Sequence, residues 1–348
     1  MLQDKNHPKT DLGQLGEFGL IEILTQDFEI KNPQTLKGIG DDAAVLNFDK
    51  NNVLISTDLL VEGIHFDLAY FPLKHLGYKA AIVNFSDIYA MNGTATQLLV
   101  SIAVSNRFPL EALQEIYEGI KLACRIYEVD LVGGDTTSSK SGLIINPTVT
   151  GSSKPGTEVY RSGAKAGDLI VVTGDLGAAY AGLLVLQREN ETFKANPQHQ
   201  PDLSPYAYVV ERQLKPEARK SIPPLLKKLQ IQPTSMIDIS DGLSSEILHI
   251  CKASEVGATI YADKIPIDPQ TVLTTEEFNI SELTAALNGG EDYELLFTIP
   301  QKYFEVIKNR NEFSIIGHIN EDKGAYLITP ANEKIELKAQ GWNALKNK

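Results

Sequence analysis

Apolar stretches of strand length and of helix length alternate in both halves of this 348-residue chain. Residues 151–167, GSSKPGTEVYRSGAKAG, interrupt the alternation with Gly, Ser, Lys and Pro. Alternation of that kind builds sheets covered by helices, and a break of that composition marks a linker. The expectation is therefore two units, each α/β or α+β, over residues 1–150 and 151–348.

In the first half, NNVLISTDLL reads as a strand ending at Asp58, and KHLGYKAAIVNFSDIYAMNG as a helix stopped by Gly93. PLEALQEIYEGIKLACRIYEVD is the clearest amphipathic helix, with Leu110, Leu113, Ile116, Tyr117, Ile120, Cys124 and Tyr127 on one stripe. DLVGGDTT reads as a short strand running into a glycine pair. LIINPTVTG reads as a strand in which Pro147 predicts an edge or a bulge. In the second half, DLIVVTG is a strand, DLGAAYAGLLVLQRE a helix and residues 190–206 an exposed loop. SMIDISDGLSSEILHICKASEVG reads as strand, acidic turn and helix closed by Gly257. YELLFTI and GAYLIT are further strands.

Composition narrows the class. The 45 acidic side chains outnumber the 32 basic ones, for a net charge of −13. That balance opposes a nucleic-acid partner or an anionic membrane surface and suits cations. Cys124 and Cys251 lie far apart in helix-like stretches, so both read as small buried thiols in a reducing compartment. The first twenty residues carry no apolar targeting core and no stretch approaches a membrane span, so a cytoplasmic protein is expected.

Acidic residues recur where apolar runs end: Asp41 and Asp42 after the glycines of GIGDDA, then Asp58, Asp135, Asp238 and Asp241, and Glu291 with Asp292. Asp87 lies inside a helix. Singly each has an ordinary explanation. Asp58 can close a strand, Asp241 can cap a helix, Asp87 can face solvent and NGGEDYE can be a polar turn. Together, carboxylates at strand ends and loops are what hard cations such as Mg²⁺ require, and Ser56 and Thr57 add neutral oxygens. GIGDDA matches a dinucleotide-binding glycine pattern, but the residues after it read as strand–turn–strand, which excludes that reading. No P-loop, protein-kinase or EF-hand motif occurs. His65 stands near Asp58 as a candidate substrate contact, and His249 reads as structural. Arg161 is a surface charge or a phosphate clamp. Trp342 is a core residue or a stacking platform.

The ordered set GIGDDAAVL, STDLLVEGIHF, KAAIVNFSDIYAM, LVGGDTT, YRSGAKAGD, IDISDGL and GGEDYELLF resembles the thiamine-monophosphate kinase family from about Gly16 to Trp342. The resemblance implies the two-domain aminoimidazole ribonucleotide synthetase-like fold, α/β plus α+β, a homodimer formed through the N-terminal sheet, and ATP bound with several Mg²⁺ ions. It implies metal ligation by Asp42, Ser56, Thr57, Asp58, Asp87, Asp135, Asp238 and Asp241. It implies ATP contacts from Tyr117, Gly134, Asp135, Arg161 and Ser240, and thiamine monophosphate contacts from His65, Glu291 and Trp342. The segment MNGTATQ departs from the family pattern after the Asp87 helix. The transfer implied is of the ATP γ-phosphoryl group to thiamine monophosphate, with no general base assigned. The alternative within the fold is an amidine-forming ligase that releases phosphate. A selenophosphate synthetase would need a reactive cysteine near the N-terminus, which this chain lacks. A protein that merely folds around cations is the alternative of another class.

Overall fold

In a computed structural model of the chain, which describes residues 35–38, 40–48, 50–198 and 200–339, each half is organised around a sheet. The first contains β1 (Thr35–Lys37), β2 (Ala44–Phe48), β3 (Asn51–Thr57), β4 (Leu60–Val61), β5 (Thr94–Val104), β6 (Asp130–Ser138) and β7 (Ile144–Ser153). Its order is β1-β2-β3-β7-β5-β6, with β4 also on β7. Among these strands only β5 and β6 run parallel, because the helix Leu110–Tyr127 crosses over between them. That helix buries Ile116, Ile120, Cys124 and Tyr127 as expected but leaves Leu110 exposed.

The second sheet contains β8 (Leu169–Thr173), β9 (Ser235–Asp238), β10 (Gly257–Tyr261), β11 (Leu295–Ile299), β12 (Phe313–Asn320), β13 (Gly324–Ile328) and β14 (Lys334–Glu336). Its order is β14-β13-β10-β12-β8-β11-β9. All of β11 and nearly all of β8 are buried, so both strands read as unbroken apolar runs. Val171, Phe297 and Phe313 pack on one face with Ala90, the last residue of the helix Leu73–Ala90 from the first half. This helix lies between β3, β5 and β7, the Leu110–Tyr127 helix and, across the halves, β9 and the helix Ala207–Leu214. Burial on nearly all sides explains why it has no solvent-facing stripe.

Four local expectations are corrected. Pro147 lies in a central strand, β7, not at an edge. Its carbonyl accepts from the Asp58 N–H at 3.3 Å and from Thr57 Oγ1 at 2.8 Å, so its N–H-less nitrogen faces the gap between β3 and β4. The strand at DLVGGDTT continues through the glycines to Ser138, and a Cβ on Gly134 would stand 1.9 Å from the Val100 carbonyl oxygen of β5. The helix expected to end near 189 runs over Ala178–Ala195. The Leu243–Ser254 helix is ended by Glu255 at φ 57°, whereas Gly257 opens β10.

Candidate active site

Asp42, Asp87 and Asp238 converge, each offering an oxygen within 4.8 Å of the other two. They arrive from three places: the turn before β2, the last turn of the Leu73–Ala90 helix, and the end of β9. Gly40, at φ 107°, supplies the left-handed backbone that the first of these turns uses. Ser56 Oγ on β3 donates to Asp87 Oδ2 at 2.5 Å, and Ser86 Oγ donates to Asp238 Oδ2 at 2.5 Å. The second of these bonds joins the two halves of the chain.

This arrangement concentrates negative charge where water cannot screen it. Burial, then the charges of Asp58, Asp238 and Asp42, push the Asp87 carboxyl well above the usual carboxylate range. Burial, then Asp42, pushes Asp238 up to about 8. Asp87 also stands at a helix C-terminus, where the helix dipole disfavours an anion. The cation bonded into the cluster is Arg161, whose Nη2 and Nε reach the two oxygens of Asp42 at 2.8 and 3.1 Å. Asp41 sets that guanidinium in place. Its Oδ1 accepts the backbone N–H of Arg161 at 2.8 Å, and its Oδ2 pairs with Lys37 at 3.3 Å. Three carboxylates and two hydroxyls make a set of hard oxygens whose charge the one arginine bonded to them only partly offsets, which fits a divalent cation such as Mg²⁺.

The other expected site residues divide into near and far. Asp58 follows β3 directly, and its charge is felt by both Asp87 and Asp238. Thr57 turns its hydroxyl to β7, bonding Pro147 and Thr148. Asp241 lies in the turn after β9. Its backbone N–H donates to Glu246 Oε1 at 3.1 Å, and Gly242, not Asp241, is the cap of the next helix. Ser240 is exposed and its carbonyl accepts the Glu291 N–H at 2.7 Å. His65 Nδ1 accepts from the Val61 N–H at 3.0 Å, which puts the proton of the neutral ring on Nε2. Asp135 and Gly134 lie on β6, exposed along its whole length and three strand spacings from β3, roughly 14 Å along the sheet. Tyr117 lines a groove of about 630 Å³ beside the start of that strand, with Arg125 and Asp130. Trp342 lies outside the described residues.

Sequence reasoning misses Ser86, Lys79 and Gln213. Lys79 has a findable signal as the lysine that opens a mostly apolar helical stretch, KAAIVNF. Ser86 has none beyond standing next to Asp87.

Residues 40–153 match the AIR synthase related protein N-terminal domain, and residues 165–330 match its C-terminal domain. The thiamine-monophosphate kinase of Aquifex aeolicus (strain VF5) is 32% identical over 332 residues, covering 95% of this chain and 98% of that protein. The chain belongs to the thiamine-monophosphate kinase family. The family's enzyme from Bacillus subtilis (strain 168) is 34% identical over 340 residues, covering 95% of this chain and all of that protein. The solved structure of AaThiL complexed with AMPPCP and TMP is similar with a TM-score of 0.83 and 30% identity, over 97% of this chain and 99% of that one. The fold is therefore the family's two-domain, aminoimidazole ribonucleotide synthetase-like fold, as the motifs implied.

Proposed function

We infer that this chain transfers the γ-phosphoryl group of ATP to thiamine monophosphate, giving thiamine diphosphate and ADP. The observation that carries the reading is the carboxylate cluster, assembled from both halves and met by Arg161, in a chain of this family. A similar structure that holds AMPPCP, an ATP analogue, together with TMP supports both substrates.

A phosphate oxygen of thiamine monophosphate attacks the γ-phosphorus, that P–O bond forms, and the bond to the bridging oxygen breaks as ADP leaves. The attacking phosphate has a second pKa of about 6 and is largely deprotonated at pH 7, so no side chain has to remove a proton. The task of the protein is alignment of two polyanions. Asp42, Asp87 and Asp238, with Asp58 and the Ser56 hydroxyl, would hold Mg²⁺, and Asp241 lies close by in sequence after β9. Bound Mg²⁺ supplies charge neutralisation for the triphosphate and for the transferring group. Arg161 stands where it can exchange Asp42 for a phosphate oxygen. Glu291 and His65 are assigned to thiamine monophosphate, and Tyr117, Gly134, Asp135 and Ser240 to ATP. The N-terminal domain thus carries most of the nucleotide and metal contacts.

Incubation with Mg-ATP and thiamine monophosphate should yield thiamine diphosphate and ADP in equal amounts without free phosphate. Release of phosphate without thiamine diphosphate would point to the ligase alternative instead.

A homodimer through the first sheet accompanies this reading. The edge strand β6 bares Leu131 and Val132, and Leu99 beside it on β5 is also exposed. An apolar edge that none of the described residues covers is a template for pairing. Sedimentation should give twice the 38.2 kDa chain mass, and Val132→Asp should shift it to the monomer. A monomeric wild type would remove the dimer from the account. Among the described residues no helix is long and apolar enough to cross a membrane. The two cysteines are free and buried, which suits the reducing cytoplasm.

A further inference from the structure

Lys79 is 1% exposed, in the middle of the buried Leu73–Ala90 helix. Removing an ammonium group from water costs several kcal/mol, and a methionine would fill the same space without that cost. Its charge must therefore be used locally. Nζ donates to Glu291 Oε2 at 2.7 Å and to the Gln213 carbonyl at 3.1 Å, and it lies 5.4 Å from the centre of the Phe71 ring. Gln213 Nε2 donates to the same Glu291 oxygen at 2.9 Å.

Two donors thus converge on Oε2, and neither touches Oε1. The Glu291 side chain remains about a third exposed, at 31%. Its backbone is held too, at φ 59°, with its N–H bonded to Ser240. A left-handed glutamate directly after Gly290 is an unfavourable conformation that the surroundings must impose. The result is one carboxylate oxygen locked inside and the other presented outside, held jointly by the first half through Lys79 and by the second through Gln213.

We propose that Lys79, assisted by Gln213, is the positioning residue that aims Glu291 Oε1 at the acceptor substrate. By offsetting the charge of Glu291, Lys79 also lets that oxygen accept from the substrate's N–H groups without adding another net anion beside the carboxylate cluster. This inference rests on the kinase reading with Glu291 facing thiamine monophosphate.

The test compares wild type with Lys79→Met, Gln213→Met, Glu291→Gln and the double variant Lys79→Met/Glu291→Gln. Lys79→Met should raise the KM for thiamine monophosphate about 10-fold or more, while kcat and the KM for ATP stay within about 3-fold. Gln213→Met, which keeps the lysine, should raise the same KM about 3-fold. If Lys79 acts through Glu291, the double variant should be no worse than Glu291→Gln alone. Equal rises in both KM values, or losses that multiply in the double variant, would overturn the proposal. Calorimetric titration of thiamine monophosphate reads the same loss without turnover. An inactive wild type therefore overturns the kinase reading, and the binding comparison still decides the role of Lys79.

Discussion

Asp87→Asn is expected to lower turnover by at least about 10²–10³-fold while raising the Tm of the cation-free protein at pH 8. The two effects have one cause. On the proposed reading Asp87 holds a cation, and without one the fold tolerates its charge poorly, crowded as it is by Asp58, Asp238 and Asp42. Both Asp87 and Asp238 keep their protons to a higher pH in the folded chain than in the unfolded one. For Asp238 the window runs from the ordinary 3.8 up to about 8. Across that window the folded state binds more protons, so stability is greatest below it and is lost as pH rises through it. Melting the wild type in EDTA at pH 5 and pH 8 should show the fall, and Mg²⁺ should reverse most of it at pH 8. Asp87→Asn should flatten the pH dependence. Near-normal turnover in that variant would sink the cation-cluster account, and so would a Tm indifferent to Mg²⁺ at pH 8.

Arg161→Met should act in the opposite direction on stability. The Asp42 side chain is 1% exposed and has both oxygens on the guanidinium. Leaving a buried carboxylate without its partner costs about 3–5 kcal/mol, or roughly 4–7 °C of Tm for a protein of this size. Because a divalent cation offers Asp42 the same compensation, Mg²⁺ should restore most of the loss. Its apparent Kd should tighten once Arg161 no longer competes. The KM for ATP should rise at the same time, as expected of a side chain that passes from Asp42 to a phosphate. An unchanged melting curve in EDTA would show that the ion pair does not hold Asp42.

Much of this site is legible in the chain because strands deliver their ends, and the end residues carry the carboxylates. Asp42, Asp58 and Asp238 each follow or precede an apolar run whose direction is clear from its pattern. Periodicity, however, assigns faces and says little about strand order. Pro147 predicts an edge or a bulge, yet the chain leaves a gap between β3 and β4 opposite it, so a central strand accommodates it. Asp135 reads as equivalent to the other acids, yet β6 joins the far side of the sheet, and only the order β3-β7-β5-β6 reveals the separation. Lys79 stands out by its charge, but a helix buried on nearly all sides gives no periodicity that says which face it occupies. Its partners, Gln213 and Glu291, lie more than a hundred residues downstream.

The hydrogen bond between Ser86 and Asp238 places Asp87 next to a carboxylate about 150 residues further along the chain. A divalent ion gripped by both would act as a reversible staple, closing a loop that long without any covalent bond. Constraints on long loops remove the most freedom from an unfolded chain. The same charge that serves phosphoryl transfer would then make the two halves melt together, and a chelator would let them come apart in separate steps.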